Sequence, residues 1–226
     1  MINSGSFINS QLRTTEKHMR IGILGAGMIG GTLGTLWHNA GHEVCFANRH
    51  PEKLHDLVSR LGPRATVDTV EAAASFGPVV LWAVPLVATP ELGQRLSTLL
   101  KDKVVLDTAN PYPARDGAIA QEVIANGRGT GVWTAGHLPM AKVVRAFNTV
   151  FFKTLQNEAN RLGDRLGIPL AGDDAAALQV AAQLAIDAGF APVIVGELDR
   201  GRSFEPGTLV YNTGMSASAL RRALGV

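Results

Sequence analysis

Hydrophobic residues fall into short unbroken runs, set apart by longer stretches that mix apolar and polar positions. Arg20 to Leu24 (RIGIL) reads as a buried strand, followed by a glycine-rich turn and a helix from Met28 to Ala40. His42 to Ala47 reads as a second strand. Pro51 to Leu61 reads as a helix, with the proline in a first turn where its missing N–H costs nothing. Ala65 to Val67 is a short strand candidate and Thr69 to Ser75 a short helix. Val79 to Val84, closed by Pro85, Val104 to Asp107 and Val143 to Phe147 are further apolar runs. Thr89 to Leu100 and Ala118 to Ala125 fit helices between them. Continuous apolar strands alternating with helices predict a mostly parallel sheet covered on both faces. The expected class is therefore a doubly wound α/β (Rossmann) fold with a small C-terminal appendage.

Beyond Asn148 the pattern is looser. Ile168 to Ala171 and Pro192 to Val195 read as strands. Asp173 or Asp174 can cap a helix through Ala175 to Ala188, and a short helix falls near Ala217 to Ala223. Residues 1–18 stand apart: they are polar, rich in Ser and Asn, and lack the continuous apolar stretch of a secretory signal. They are expected to form a disordered extension. Residues 19–150 then form a dinucleotide-binding domain, and residues 151–226 complete the α/β layer and supply an acceptor-site segment.

Composition narrows the class. The chain has 226 residues, 46% hydrophobic and 18% charged, which fits one globular domain and not whole-chain disorder. A formal net charge of +2 with no Lys/Arg block argues against a nucleic-acid partner. The apolar runs fall well short of the ~20 residues of a membrane span, so no membrane partner is expected. A single cysteine, Cys45, excludes an intramolecular disulfide and reads as a buried packing residue. A reducing cytoplasm is the default location. The six histidines show no metal-ligand spacing, and no metal site is expected.

The chemistry begins at Gly25-Ala26-Gly27-Met28-Ile29-Gly30, a G-x-G-x-x-G string. Its context carries the signal: an apolar strand precedes it, an apolar helix follows, and a second strand ends about twenty residues on. Gly25 permits the tight turn, Gly27 lets backbone approach a pyrophosphate, and Gly30 lets helix pack on strand. Where an NAD enzyme places an acid after the second strand, this chain has Asn48 and then Arg49, with Lys53 one turn on. A carboxylate would repel a 2′-phosphate, whereas arginine offers it a forked, charged contact. The cofactor expected is NADP(H); the alternative is that Arg49 and Lys53 are ordinary surface charges.

Three further segments complete a pattern. They are Val104 to Pro113, which contains Thr108-Ala109-Asn110-Pro111-Tyr112, then Val143 to Thr149, and Ile168 to Asp174. With the glycine turn and Asn48-Arg49, this set resembles the NADP oxidoreductases that depend on a deazaflavin, coenzyme F-420. The likeness covers residues 20–200, and the domain is also similar to the NADPH-binding domain of certain membrane metalloreductases. The resemblance implies that the glycine turn, Asn48, Arg49 and Lys53 hold the adenosine end. It implies that Ala83, Val84, Pro85, Ala109 and Asn110 line the nicotinamide. Asn148, at another strand end, can hydrogen-bond the carboxamide or the acceptor, or simply satisfy its own loop. The tail, Ser203 to Thr208 and Val210-Tyr211-Asn212, departs from the deazaflavin-binding pattern and is expected to form part of the acceptor pocket.

Hydride transfer needs positioned rings more than an acid or base, since the cofactor carries the hard chemistry. His137 is the best lone acid/base candidate, against the plainer reading of a helix-end histidine. Asp107 can orient the Asn110-Pro111 loop. Arg200 and Arg202 can meet an acidic acceptor tail or remain solvated. After Asn148 too little chain remains for the helical second domain of hydroxyacid dehydrogenases or imine-forming amino-acid reductases. The expected function is NADP(H)-dependent hydride exchange with a small-molecule acceptor of deazaflavin type. The alternatives are a flavin or ferric-complex reductase and a non-catalytic redox sensor; a homodimer is expected.

Overall fold

The computed structural model describes residues 18–226. The expected extension at 1–18 therefore lies, apart from His18, outside the described residues. In chain order the elements are β1 (Arg20–Leu24), α1 (Met28–Asn39), β2 (Glu43–Ala47), α2 (His55–Leu61), β3 (Ala65–Val67), α3 (Val70–Ser75), β4 (Val79–Trp82) and α4 (Thr89–Leu96). There follow β5 (Val104–Asp107), α5 (Pro113–Asn126), α6 (Thr130–His137), β6 (Lys142–Arg145), α7 (Phe152–Glu158), β7 (Gly167–Gly172), α8 (Ala175–Asp187), β8 (Ala191–Gly196) and α9 (Ala217–Leu224). The strands form one sheet in the order β3-β2-β1-β4-β5-β6-β7-β8. Every neighbouring pair is parallel except β6 and β7. The first six strands follow the order of dinucleotide-binding sheets, in which ligands sit beyond the carboxyl ends where the strand order reverses.

The continuous apolar runs are explained by burial on both faces. Successive side chains of a strand point to opposite sides. Ile21, Ile23, Leu81 and Leu106 pack under α1 and α8, against Leu33, Trp37 and Leu184. Leu24, Val80, Trp82 and Val105 pack against Ala73, Leu96 and Leu138 on the other face. Asp174 caps α8 by accepting from the Ala177 N–H at 2.8 Å, and Asp173 accepts from the Leu198 N–H at 2.8 Å. Residues 151–226 thus extend the same sheet by β7 and β8 and close over its end with a tail. Cys45 is buried in β2, and burial pushes its thiol up. Among the described residues, no helix is long and apolar enough to cross a membrane.

The structure differs from the sequence pattern in several places. α4 stops at Leu96, four residues before the pattern predicts. α5 starts earlier, at Pro113, and bends at Gly117, where φ is 58°. Helices α6 and α7 do not stand out in the sequence: both are short, and neither has a side-chain cap of its own. The start of α6 is held by Glu205, whose Oε1 accepts from the Thr130 N–H at 2.6 Å. β6 ends at Arg145 and not Phe147, because Phe147 takes a left-handed backbone (φ 57°).

A buried histidine joins the two ends of the sheet's cover. His42 is 3% exposed; its Nδ1 accepts from the Met19 N–H at 3.0 Å, so the ring proton sits on Nε2 and is donated to Asp187 at 3.0 Å. Burial lowers its pKa below the ordinary 6.5, against the pull of Asp187, and the charge of His18 pushes the same way. The fold favours neutral His42, so this contribution is complete above about pH 6.5 and is lost as the pH falls toward the lower folded value. Urea midpoints are expected to drop as the pH falls below 6.5, and to drop less steeply in His42→Gln; parallel profiles would refute this.

Candidate functional site

The glycine turn sits where the sheet order reverses. Gly25 has φ +90°, and a Cβ there would lie 2.4 Å from the Ala83 carbonyl oxygen, so only glycine lets the turn press against the end of β4. A Cβ on Gly30 would lie 2.4 Å from the Gly25 oxygen, which keeps α1 tight against β1. Gly27 is the opposite case: it is exposed, lines the cavity, and a Cβ there would meet nothing within 4 Å among the described residues. α1 has no capping side chain and no acid in its first turn. Its first N–H groups and the positive end of its dipole therefore face open space, which fits a pyrophosphate.

At the end of β2, Asn48 reaches the Ala26 carbonyl at 3.5 Å and so lies beside the turn. Arg49 and Lys53 are exposed. Lys53 lies in a short 3-10 turn, Pro51–Leu54, that leads into α2. These three residues do not line the cavity.

The cavity, of about 500 Å³, opens beyond the carboxyl ends of β1, β4, β5 and β6. Met28 and Ile29 line it from the turn, Ala83, Val84 and Pro85 from the end of β4, Ala109 and Asn110 from the end of β5, and Asn148 from the end of β6. The far wall includes the Tyr211-Asn212 segment, which the sequence analysis placed at a pocket, and side chains that it did not single out. It comprises Tyr112, Arg115, Phe151 and Phe152, together with Tyr211 and Asn212 from the tail. The tail is stitched on by backbone: the Asn212 N–H donates to the Thr149 oxygen at 2.7 Å, and Asn212 Oδ1 accepts from the Phe151 N–H at 3.1 Å.

A buried ion pair holds this wall. Arg145 is 0% exposed; its guanidinium donates to Asp107 at 3.0 Å and to Asn110 Oδ1 at 2.7 Å, and lies 3.5 Å from Glu205. Burial pushes the Asp107 carboxyl up, against Arg145 and the Ala109 N–H that it accepts at 2.9 Å. Asn148 donates to Asn110 Oδ1 at 3.3 Å and to the Phe204 carbonyl at 3.1 Å. With two donors on its oxygen, the Asn110 amide has one orientation, and its nitrogen donates to the Asn148 carbonyl at 2.8 Å. Asp107 thus acts on the Asn110 loop through Arg145.

Other sequence candidates lie elsewhere. His137 ends α6, stacks on Trp133 with ring centroids 4.1 Å apart and bonds the Trp133 carbonyl; it does not line the cavity. Arg200 and Arg202 reach the Leu224 and Gly127 carbonyls and do not line it either. The signal for Tyr112 and Tyr211 was available, since they are the only two tyrosines. Nothing local says that they meet.

Sheet order and glycine turn define a Rossmann-type fold. Residues 20–111 match the family described as NADP oxidoreductase coenzyme F420-dependent. The chain is 28% identical over 186 residues to the metalloreductase STEAP3 of Rattus norvegicus, covering 82% of this chain and 36% of that protein's length. A solved structure of a hypothetical protein from Sinorhizobium meliloti superposes with a TM-score of 0.77 at 25% identity, covering 90% of this chain and 97% of that one. A protein of Arthrobacter sp. FB24, named as a candidate F420-dependent NADP reductase, superposes with a TM-score of 0.71 at 23% identity, covering 88% and 99%.

Proposed function

We propose that the chain is an NADP(H)-dependent oxidoreductase that moves a hydride between nicotinamide and a deazaflavin-type acceptor held in the same cavity. The observation that carries this reading is continuity: one cavity runs from Gly25 and Gly27 to the aromatic wall at Tyr112 and Tyr211. When bound, NADPH supplies the hydride. The chain's residues bind and orient. The α1 start and Arg49 hold phosphates, Asn110 and Asn148 offer fixed amides at the ring end, and Phe151 and Phe152 exclude water. Positioning two rings in near-attack geometry accounts for roughly 7–11 kcal/mol of a barrier, so no side-chain acid is required.

The test is absorbance of the oxidised deazaflavin on mixing with NADPH and enzyme, where rapid bleaching is expected. Arg49→Ala removes a charge-assisted contact of about 1.5–3 kcal/mol. Its NADPH dissociation constant is expected to rise by about 10–100-fold while that for NADH stays the same. Equal affinities for the two in the wild type would refute the NADP assignment. The likeness to a metalloreductase supports a second reading, a flavin or ferric complex as acceptor. Bound NADPH with no bleaching favours that reading, and no turnover of any acceptor favours a sensor. The reading includes a homodimer, which a monomer by light scattering would refute.

A further inference from the structure

Tyr112 and Tyr211 meet hydroxyl to hydroxyl on the cavity wall, from positions 99 residues apart. The second N–H of the Asn110 amide points between them, 3.4 Å from the Tyr112 oxygen and 3.3 Å from the Tyr211 oxygen. Because Arg145 and Asn148 occupy Asn110 Oδ1, that amide can only donate here. The hydrogens can then be counted. The pair has two O–H groups, and one closes the bond between the phenols. Among the described residues, nothing else accepts from either hydroxyl. One O–H is left over, on the wall of the cavity.

We infer that the Tyr112–Tyr211 pair is a hydrogen-bond donor for the acceptor. The acceptor would be a planar conjugated ring system whose carbonyl or imine heteroatom gains negative charge on reduction. This rests on the hydride-transfer reading above and selects among its acceptors: deazaflavins, flavins and quinones have such an atom. A ferric complex takes its electron on the metal and does not need the donor. As the hydride forms its new bond, to carbon in a deazaflavin, to nitrogen in a flavin or to oxygen in a quinone, the displaced π pair settles on a conjugated heteroatom and the nicotinamide is left oxidised. The phenol keeps its proton. Burial and the neighbouring Tyr112 hydroxyl hold the Tyr211 hydroxyl well above the ordinary phenol range, so it donates without ionising. The Arg115 guanidinium lies 5.0 Å from the Tyr112 ring centroid, donates to the Asn110 carbonyl at 2.9 Å and is paired with Asp116 at 2.7 Å, so it positions the Tyr112 loop and adds no net charge there. Such donors act in the transition state without reorganising.

Tyr112→Phe, Tyr211→Phe and the double variant test this in three measurements. The first is NADPH affinity by nicotinamide fluorescence. The second is equilibrium titration of oxidised deazaflavin onto enzyme saturated with NADP+, where no turnover occurs, followed by ring absorbance. The third is stopped-flow hydride transfer from NADPH to deazaflavin or FMN. NADPH affinity is expected to stay within about threefold, since the phosphates and their cradle are untouched. Each single variant leaves one phenol whose O–H no longer has a partner, so the singles lose less than the pair. The double variant is expected to bind deazaflavin about 2–10-fold more weakly and to transfer hydride about 10²–10³-fold more slowly. A double variant as fast as wild type overturns the inference and leaves the function reading standing. Equal losses of NADPH and deazaflavin binding also overturn it, since they mark a structural role. A wild type that binds NADPH but reduces neither acceptor overturns the function reading, and this inference with it.

Discussion

Gly27→Val is expected to abolish measurable NADP(H) binding and to leave thermal unfolding unchanged. Gly27 has an ordinary negative φ of −82°, is exposed, and would meet nothing within 4 Å with an added Cβ among the described residues. The fold therefore has room for a Cβ at this position. A pyrophosphate does not tolerate the side chain, because the valine would fill the space over the first N–H groups of α1. Losing two hydrogen bonds to a charged group, at about 1.5–3 kcal/mol each, weakens binding by at least about a hundredfold. Gly25→Ala provides the contrast. Its Cβ would strike the Ala83 oxygen at a left-handed backbone position, so the melting temperature should fall along with binding. Calorimetry of both variants with a fluorescence titration of NADPH checks this. A Gly27→Val protein that binds NADPH normally would move the phosphate site away from the turn.

Arg145→Met is expected to be the most destabilising single substitution around the cavity. The guanidinium is fully buried among Asp107, Asn110 and Glu205. Removing one partner of a buried ion pair strands the other charge, at a cost of about 3–5 kcal/mol. In a chain of this size each kcal/mol shifts the midpoint by about 2–4 °C, so a drop of roughly 6–20 °C follows. Asp107→Asn in the same background should recover part of the loss, because it removes the stranded charge. The Asn110 amide would also lose the donor that orients it, so the acceptor end should fail before the phosphate end. Urea unfolding measures the first effect and the ratio of deazaflavin to NADPH affinity the second. A midpoint within 2 °C of wild type would show that Asp107 is neutral in the folded protein.

The two halves of the site were not equally legible. The glycine-turn half is contiguous: strand, glycine turn and helix follow one another from Arg20 to Asn39, and the absence of an acid at Asn48 is visible by inspection. The strand-end residues Ala83 to Pro85, Ala109 and Asn110 were reached through a family resemblance, and they line one cavity. His137 suggested chemistry by residue type alone, and the fold turns it into a stacking partner for Trp133. Helix α6 escaped notice because its cap, Glu205, lies 75 residues further on.

What the sequence by itself determined is whatever short-range physics encodes. Unbroken apolar runs require a sheet covered on both faces, glycine spacing shapes the tight strand-to-helix turn, and Asn48 followed by Arg49, with no acid after β2, carries the expectation of a 2′-phosphate. The tertiary structure alone decided which polar groups meet along the aromatic wall of the cavity. Arg145 meets Asp107 and Asn110 across the β5–β6 edge, Glu205 returns from the tail, and Tyr112 meets Tyr211. These groups are buried polar atoms from distant segments, and each must find a partner once water is excluded. Which partner it finds depends on where the folded sheet ends and how the tail crosses it, and no local pattern of residues carries that information.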